Sequence, residues 1–176
     1  NDKELEEMLA FAVDCDGPVA IRYPRGSAYR GLQEHQAPVE HGKSEVIHRG
    51  KKIAVLGVGS MIPSCLEVCK GLKEDGFDPT FVNVRFVKPL DVKLLDELAK
   101  DHSLFATVEE NVKSGGYGEH VSAYMEACHP EIRVLSAAVW DRFVPQGNVE
   151  SLRSRIGLGV EDIRQAIEDS EELREQ

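Results

Sequence analysis

Two stretches carry residues whose types and spacing could do chemistry. In Arg22-Tyr23-Pro24-Arg25-Gly26, a rigid Tyr-Pro pair separates two guanidinium groups. Such groups present planar forks of donors, and a phosphate or carboxylate is their natural partner. Surface arginines that tether the segment to a neighbouring domain would look the same, and residue chemistry leaves both readings open. The second stretch is Glu109-Glu110-Asn111, followed by Ser114-Gly115-Gly116-Tyr117-Gly118. Adjacent carboxylates can share a proton or accept bonds from nearby backbone, and glycines let the backbone approach another surface closely. The plainer expectation here is a capped turn at a packing interface.

Other motifs weigh less. Gly57-Val58-Gly59-Ser60 stands between a strand pattern and a helix pattern, as a dinucleotide fingerprint would. The place of its third glycine holds Ile62, however, and Val84-Arg85-Phe86 follows the next strand where an acid is needed. A tight strand-to-helix turn accounts for both glycines. In Trp140-Asp141-Arg142-Phe143-Val144-Pro145-Gln146-Gly147 the rings of Trp140 and Phe143 predict core packing, with an anchored loop or interface patch as the alternative. Cys65 and Cys69 share a helical face, a spacing unsuited to a disulfide and lacking zinc-ligand histidines. They are expected to be reduced core thiols of a cytoplasmic protein. No hydrolase triad, zinc spacing or P-loop can be assembled, and none of the 6 histidines is assigned a catalytic role.

The elements that must position these residues follow from periodicity. Residues 2–13 predict a helix capped by Asp2, with Leu5, Met8, Leu9 and Ala12 on one face. Residues 18–23 predict a short strand, and 27–42 a linker without periodicity. This helix and strand cannot enclose a core, so they are expected to be the remnant of a preceding domain. Strands at 44–48 and 52–57 predict a hairpin around Arg49-Gly50. Helices at 61–75, 92–100 and 119–128 then alternate with strands at 79–84, 104–108 and 132–138, and helices at 149–155 and 161–173 close the chain. Continuous apolar strands alternating with helices imply an α/β fold, a three-layer α/β/α domain with a mostly parallel sheet from about Gly42 onward.

The 176 residues suit one compact domain with a short appended segment. A net charge of −10 argues against nucleic acid and anionic lipid as partners. No apolar run approaches the ~20 residues of a membrane helix, so no membrane is expected. The chain opens on Asn1-Asp2-Lys3-Glu4, without a start Met or a secretory signal, and an excised fragment is the expectation. The acids of residues 161–176 predict a solvated last helix with a frayed tail.

Four stretches, in order, carry a resemblance along nearly the whole chain: 17–26, 84–91, 107–111 with 115–118, and 141–147. Together they resemble the 1-deoxy-D-xylulose-5-phosphate synthases of the transketolase superfamily. The resemblance implies an enzyme that condenses pyruvate with glyceraldehyde 3-phosphate and releases carbon dioxide, making a precursor of isoprenoids, thiamine and pyridoxal. It implies thiamine diphosphate and Mg²⁺ in the full-length parent, and a homodimer. Residues 1–30 correspond to the end of the pyrimidine-binding domain, 31–42 to a linker, and 43–176 to a transketolase C-terminal domain. By the same resemblance Arg25, with Arg22 the second candidate, holds the acceptor phosphate, while Glu109, Glu110, Asn111, Gly115 and Gly116 form an interface loop. The family's Gly-Asp-Gly magnesium–diphosphate motif and its cofactor-activating glutamate have no counterpart here. The fragment is therefore expected to bind no cofactor by itself and to be inactive without the remainder of the parent chain. Transketolase, a 2-oxoacid dehydrogenase β subunit and a non-catalytic Rossmann-like ligand-binding module are the rival readings.

Overall fold

The structure, a computed structural model, describes residues 1–170. Five strands make one sheet in the order β1-β3-β2-β4-β5: β1 Glu45–His48, β2 Lys52–Gly57, β3 Thr80–Asn83, β4 His102–Val112 and β5 Arg133–Val139. All neighbours are parallel except β1, which runs antiparallel at the edge beside β3. Six helices accompany them: α1 Asp2–Val13, α2 Ile62–Glu74, α3 Val92–Leu98, α4 Tyr117–Cys128, α5 Val149–Arg155 and α6 Val160–Glu168.

Strand alternation divides the core into two layers. Ile53, Val55, Phe81, Leu104, Ala106 and Val108 meet α2 and α6 through Val68, Leu72, Ile163 and Ile167. Ala54, Leu56, Val82 and Phe105 point the other way, to Leu95 and Leu98 of α3 and Val121 and Met125 of α4. Both faces of the sheet are thus covered, as parallel strands require. Cys65 and Cys69 belong to the first layer as free thiols. Burial pushes the Cys65 thiol well up and the Cys69 thiol up to about 12, so neither is a ready nucleophile.

Several expectations need correction. The hairpin around Arg49-Gly50 does not form, because β3 lies between β1 and β2. β2 is apolar on both faces and takes the centre, whereas β1, with Glu45 and His48, suits an edge. The backbone at Gly50 passes so close to β3's approach that an added Cβ would lie 1.8 Å from the Asp78 carbonyl. Residues 18–23 form no strand: they run irregularly along the surface with no partner strand to complete a ladder. Asn1, not Asp2, caps α1, its side chain accepting from the Glu4 amide at 2.8 Å. α4 begins two residues earlier than its pattern predicts, and β4 extends four residues past Val108. Trp140 and Phe143 are not core residues, being 59 % and 103 % exposed. The last helix ends at Glu168, short of the predicted bound, since residues 169 and 170 are not helical; the predicted part from residue 171, with the acids of the tail, lies outside the described residues.

Residues 1–41, the arm, contain no buried residue. The arm nevertheless docks. Arg85, just past β3 and only 3 % exposed at its side chain, bonds Glu4 at 2.6 Å and Glu45 at 2.5 Å. It also donates to the Ala37 carbonyl at 3.0 Å, while Asn83 Nδ2 reaches Glu4 at 2.8 Å. Beside this clamp the rings of Phe11, His41 and Phe86 pack edge to face and in a stack.

Candidate functional site

The strand order reverses direction at β2, whose carboxyl end lies between those of β3 and β4. Open α/β sheets take ligands in the crevice outside such a switch point. Here the crevice receives the turn Gly57-Val58-Gly59-Ser60, with Gly59 in the left-handed region at φ 51°, and the far end of β4. β4 bulges there: Val108 pairs with Ala137 and Val112 with Val139, so β4 spends four steps where β5 spends two. The surplus backbone turns the two adjacent carboxylates to different tasks.

Glu109 points inward. It is 2 % exposed and accepts from the Tyr117 amide at 2.9 Å and the Gly118 amide at 2.8 Å. These are orphan donors of the first turn of α4, which Gly116 begins without a side-chain cap of its own. The glycines are needed for this close approach. A Cβ on Gly116 would sit 2.6 Å from a Glu109 carboxylate oxygen, and one on Gly118 would sit 2.4 Å from Ser136 Oγ and 2.5 Å from Thr107 Oγ1. Gly115 supplies the left-handed turn at φ 74°. Burial, with Asp91 and Glu109 nearby, drives the Tyr117 hydroxyl far above its ordinary range, so it stays protonated at neutral pH.

Glu110 points outward, into the crevice. Its carboxylate accepts from Ser60 Oγ at 2.7 Å and from Arg153 of α5 through Nε at 3.2 Å and Nη2 at 3.0 Å. Burial works to raise this carboxyl, but the bonds from Arg153 and Ser60 outweigh it and hold the group below its ordinary value. Its backbone carbonyl takes a further bond, from Arg22 Nη2 at 3.0 Å. Arg22 itself is exposed. Arg25 is exposed as well, with no ion pair or hydrogen bond among the described residues. Asn111 lies half-buried beyond Glu110. The fold therefore brings Arg22 to the Glu109–Glu110 loop across 88 residues of sequence, while Arg25 makes no bond to that loop among the described residues.

Ser60 and Arg153 had no signal in the sequence. Ser60 reads as the end of a turn, and Arg153 as one of the charges on a short helix. At the Gly57–Ser60 turn the Ser60 hydroxyl donates to the Glu110 carboxylate, and an acid in that place argues against the dinucleotide reading. Among the described residues, no group of three or more His, Cys, Asp or Glu side chains could hold a metal ion. No helix of the structure is long and apolar enough to cross a membrane. At the opposite end of the sheet the buried His102 bonds the Leu98 carbonyl at 2.9 Å through Nδ1 and Thr80 Oγ1 at 2.7 Å through Nε2, a structural brace.

Comparison with known proteins agrees with this architecture. A protein from Lachnoclostridium phytofermentans named 1-deoxy-D-xylulose-5-phosphate synthase is 42 % identical over 164 residues, covering 93 % of this chain and 26 % of its own length. One of the same name from Dictyoglomus thermophilum is 40 % identical, covering 95 % of this chain and 27 % of its own. The chain thus spans about a quarter of the length of these relatives. Among solved structures, a split-gene transketolase described as an inactive β4 tetramer superposes with a TM-score of 0.87 at 28 % identity, over 95 % of this chain and 54 % of that one. The pattern described as "Transketolase, C-terminal domain" matches residues 42–163, and the chain belongs to the transketolase C-terminal domain family.

Proposed function

We propose that this chain is the C-terminal part of a thiamine-diphosphate-dependent synthase that condenses pyruvate with glyceraldehyde 3-phosphate to give 1-deoxy-D-xylulose 5-phosphate and carbon dioxide. The observation that carries this reading is the identity of 36 to 42 % with enzymes of that name, sustained across arm and domain together. Division into the end of a pyrimidine-binding domain (1–30), a linker (31–42) and a C-terminal domain (43–176) belongs to the same proposal. The arm's exposed Leu9, Val13, Val19 and Tyr23 fit it, because they lie where a preceding domain would cover them.

The residues present do not fit the cofactor. Magnesium–diphosphate needs clustered oxygen donors around the metal, and the crevice of this sheet offers a carboxylate already paired with Arg153. Thiamine diphosphate and Mg²⁺ are accordingly assigned to the rest of the enzyme, which as a cytoplasmic homodimer would supply the cofactor chemistry. This chain by itself is proposed to be inactive. That the related split-gene chain is described as an inactive tetramer supports the same conclusion.

The contribution of this part is to substrate binding. Arg25, exposed and without an ion pair among the described residues, and Arg22, anchored at one nitrogen, are suited to the acceptor's phosphate. In the intact enzyme, Arg25→Ala should raise KM for glyceraldehyde 3-phosphate about 10- to 100-fold, the loss of one charge-assisted contact, and leave KM for pyruvate unchanged. Equal effects on both substrates would contradict the phosphate role, and no carbon dioxide release from the unaltered enzyme would sink the assignment.

A further inference from the structure

Arg22 hangs from a backbone carbonyl, not from a carboxylate. A carbonyl orients a guanidinium without neutralising it. Although Arg22 is near enough to exert a Coulombic pull on the Glu110 carboxylate, its bond goes to the carbonyl, so donors stay open to an anion. Yet the same residue that offers the carbonyl, Glu110, carries a carboxylate that could pair with Arg22 outright. What keeps it away is visible: Ser60 Oγ at 2.7 Å and the two-nitrogen fork of Arg153 at 3.2 and 3.0 Å. The Arg153 side chain is only 22 % exposed and α5 places it against the crevice, so the fork is held in one geometry. Glu110 also sits in a bulge, where β4 has two residues more than β5 opposite and no ladder partner fixes the side chain.

We infer that Arg153, assisted by Ser60, is a positioning residue for Arg22: it holds the Glu110 carboxylate in the crevice so that Arg22 is steered by the Glu110 carbonyl and keeps its charge for the acceptor phosphate. The inference rests on the phosphate role proposed above. Four distant parts of the chain meet here: the arm, the turn after β2, the end of β4 and α5. Freed from Arg153, the Glu110 carboxylate becomes an internal competitor for the phosphate. The cost falls on binding of the phosphorylated substrate alone, because nothing in this cluster touches bonds that break or form.

The test uses the intact enzyme with both substrates varied. Arg22→Ala should raise KM for glyceraldehyde 3-phosphate. Arg153→Ala should raise the same KM about tenfold, a charge-assisted bond's worth, with kcat and KM for pyruvate unchanged. Arg153→Lys should recover part of the loss, since a single ammonium restores the charge without the fork. The decisive variant is Arg153→Ala combined with Glu110→Gln, which removes the competitor along with its keeper and should bring KM back towards the starting value. A purely structural role for Arg153 predicts the reverse, a double variant no better than the single one, and that result overturns the inference. If Arg22→Ala acts but Arg153→Ala does not, the inference falls and the phosphate role stands. If Arg22→Ala leaves the acceptor's KM unchanged, the role of Arg22 falls and the inference with it.

Discussion

The arm and the sheet domain are held by opposite kinds of force. In the sheet domain, Phe105, Ile53, Leu56 and their neighbours are almost wholly buried in two layers, and nearly all of the chain's buried apolar surface lies there. In the arm nothing is buried, and α1 leaves Leu9 49 % and Val13 85 % exposed. Leu32 and Phe11 add some apolar contact, but the arm's long-range bonds are polar: Glu4 to Arg85 and Asn83, Ala37 to Arg85 and Glu45, Arg22 to Glu110. Apolar burial is non-directional and insensitive to charge, whereas a charge clamp is directional and titratable. The difference teaches that the domain can set its own fold while the arm is oriented by a few named donors. Arg85 and Asn83 sit at the carboxyl end of β3.

The comparison is sharpened first by breaking the domain. Phe105→Ala empties a site that is 0 % exposed, between β4's neighbours and α3 and α4. It should cost about 3–5 kcal/mol of global stability, read as a lower denaturant midpoint with an unchanged slope. A loss below about 1 kcal/mol would show that the layer does not carry the fold. Next in size is Arg85→Met. It strands Glu4 and Glu45 against each other without their cation, at about 3 kcal/mol, the low end for breaking a buried pair. The expected readout is local: amide exchange protection lost in α1 and around residue 37, with β2 and β4 still protected. Equal loss in β2 and β4 would mean that arm and domain are one cooperative unit after all.

How much of this was legible beforehand divides along the same line. The alternation of Ile53-Ala54-Val55-Leu56 with amphipathic stretches gave the three layers, because burial periodicity is written into residue type. Neighbour order was not legible. Two strands joined at Arg49-Gly50 resemble a hairpin locally, and only the demand of β2 for parallel partners on both sides pulls them apart. The arm's pattern predicts a helix and a strand, but a strand needs a partner that residues 18–23 do not find among the described residues. In the candidate site Arg22, Glu109 and Glu110 drew notice by type. Their separate tasks depend on a bulge whose two surplus residues leave no periodic trace, and on Arg153, brought from 43 residues away. In the sequence Arg85 stands where a dinucleotide site needs an acid, and its service as the arm's clamp shows only in three dimensions.

Acid offers the mildest way to pull the two regions apart. Glu110 is held below its ordinary value of 4.5, because the bonds from Arg153 and Ser60 outweigh the effect of burial. A carboxyl depressed by folding contributes stability that is fully present above its unfolded value and is lost as pH falls through its folded one. The contact of α5 and Arg22 with β4 should therefore loosen below about pH 4.5, before the apolar layers give way. The effect is small because the Glu110 side chain is 35 % exposed and its pairing is screened by solvent. Amide exchange in α5 and around residue 22, followed from about pH 6 to about pH 3, should show an acid-dependent opening in the unaltered protein. In Glu110→Gln the step should be absent, since there is no carboxylate left to protonate. A step of the same size in that variant would place the acid sensitivity of the arm elsewhere.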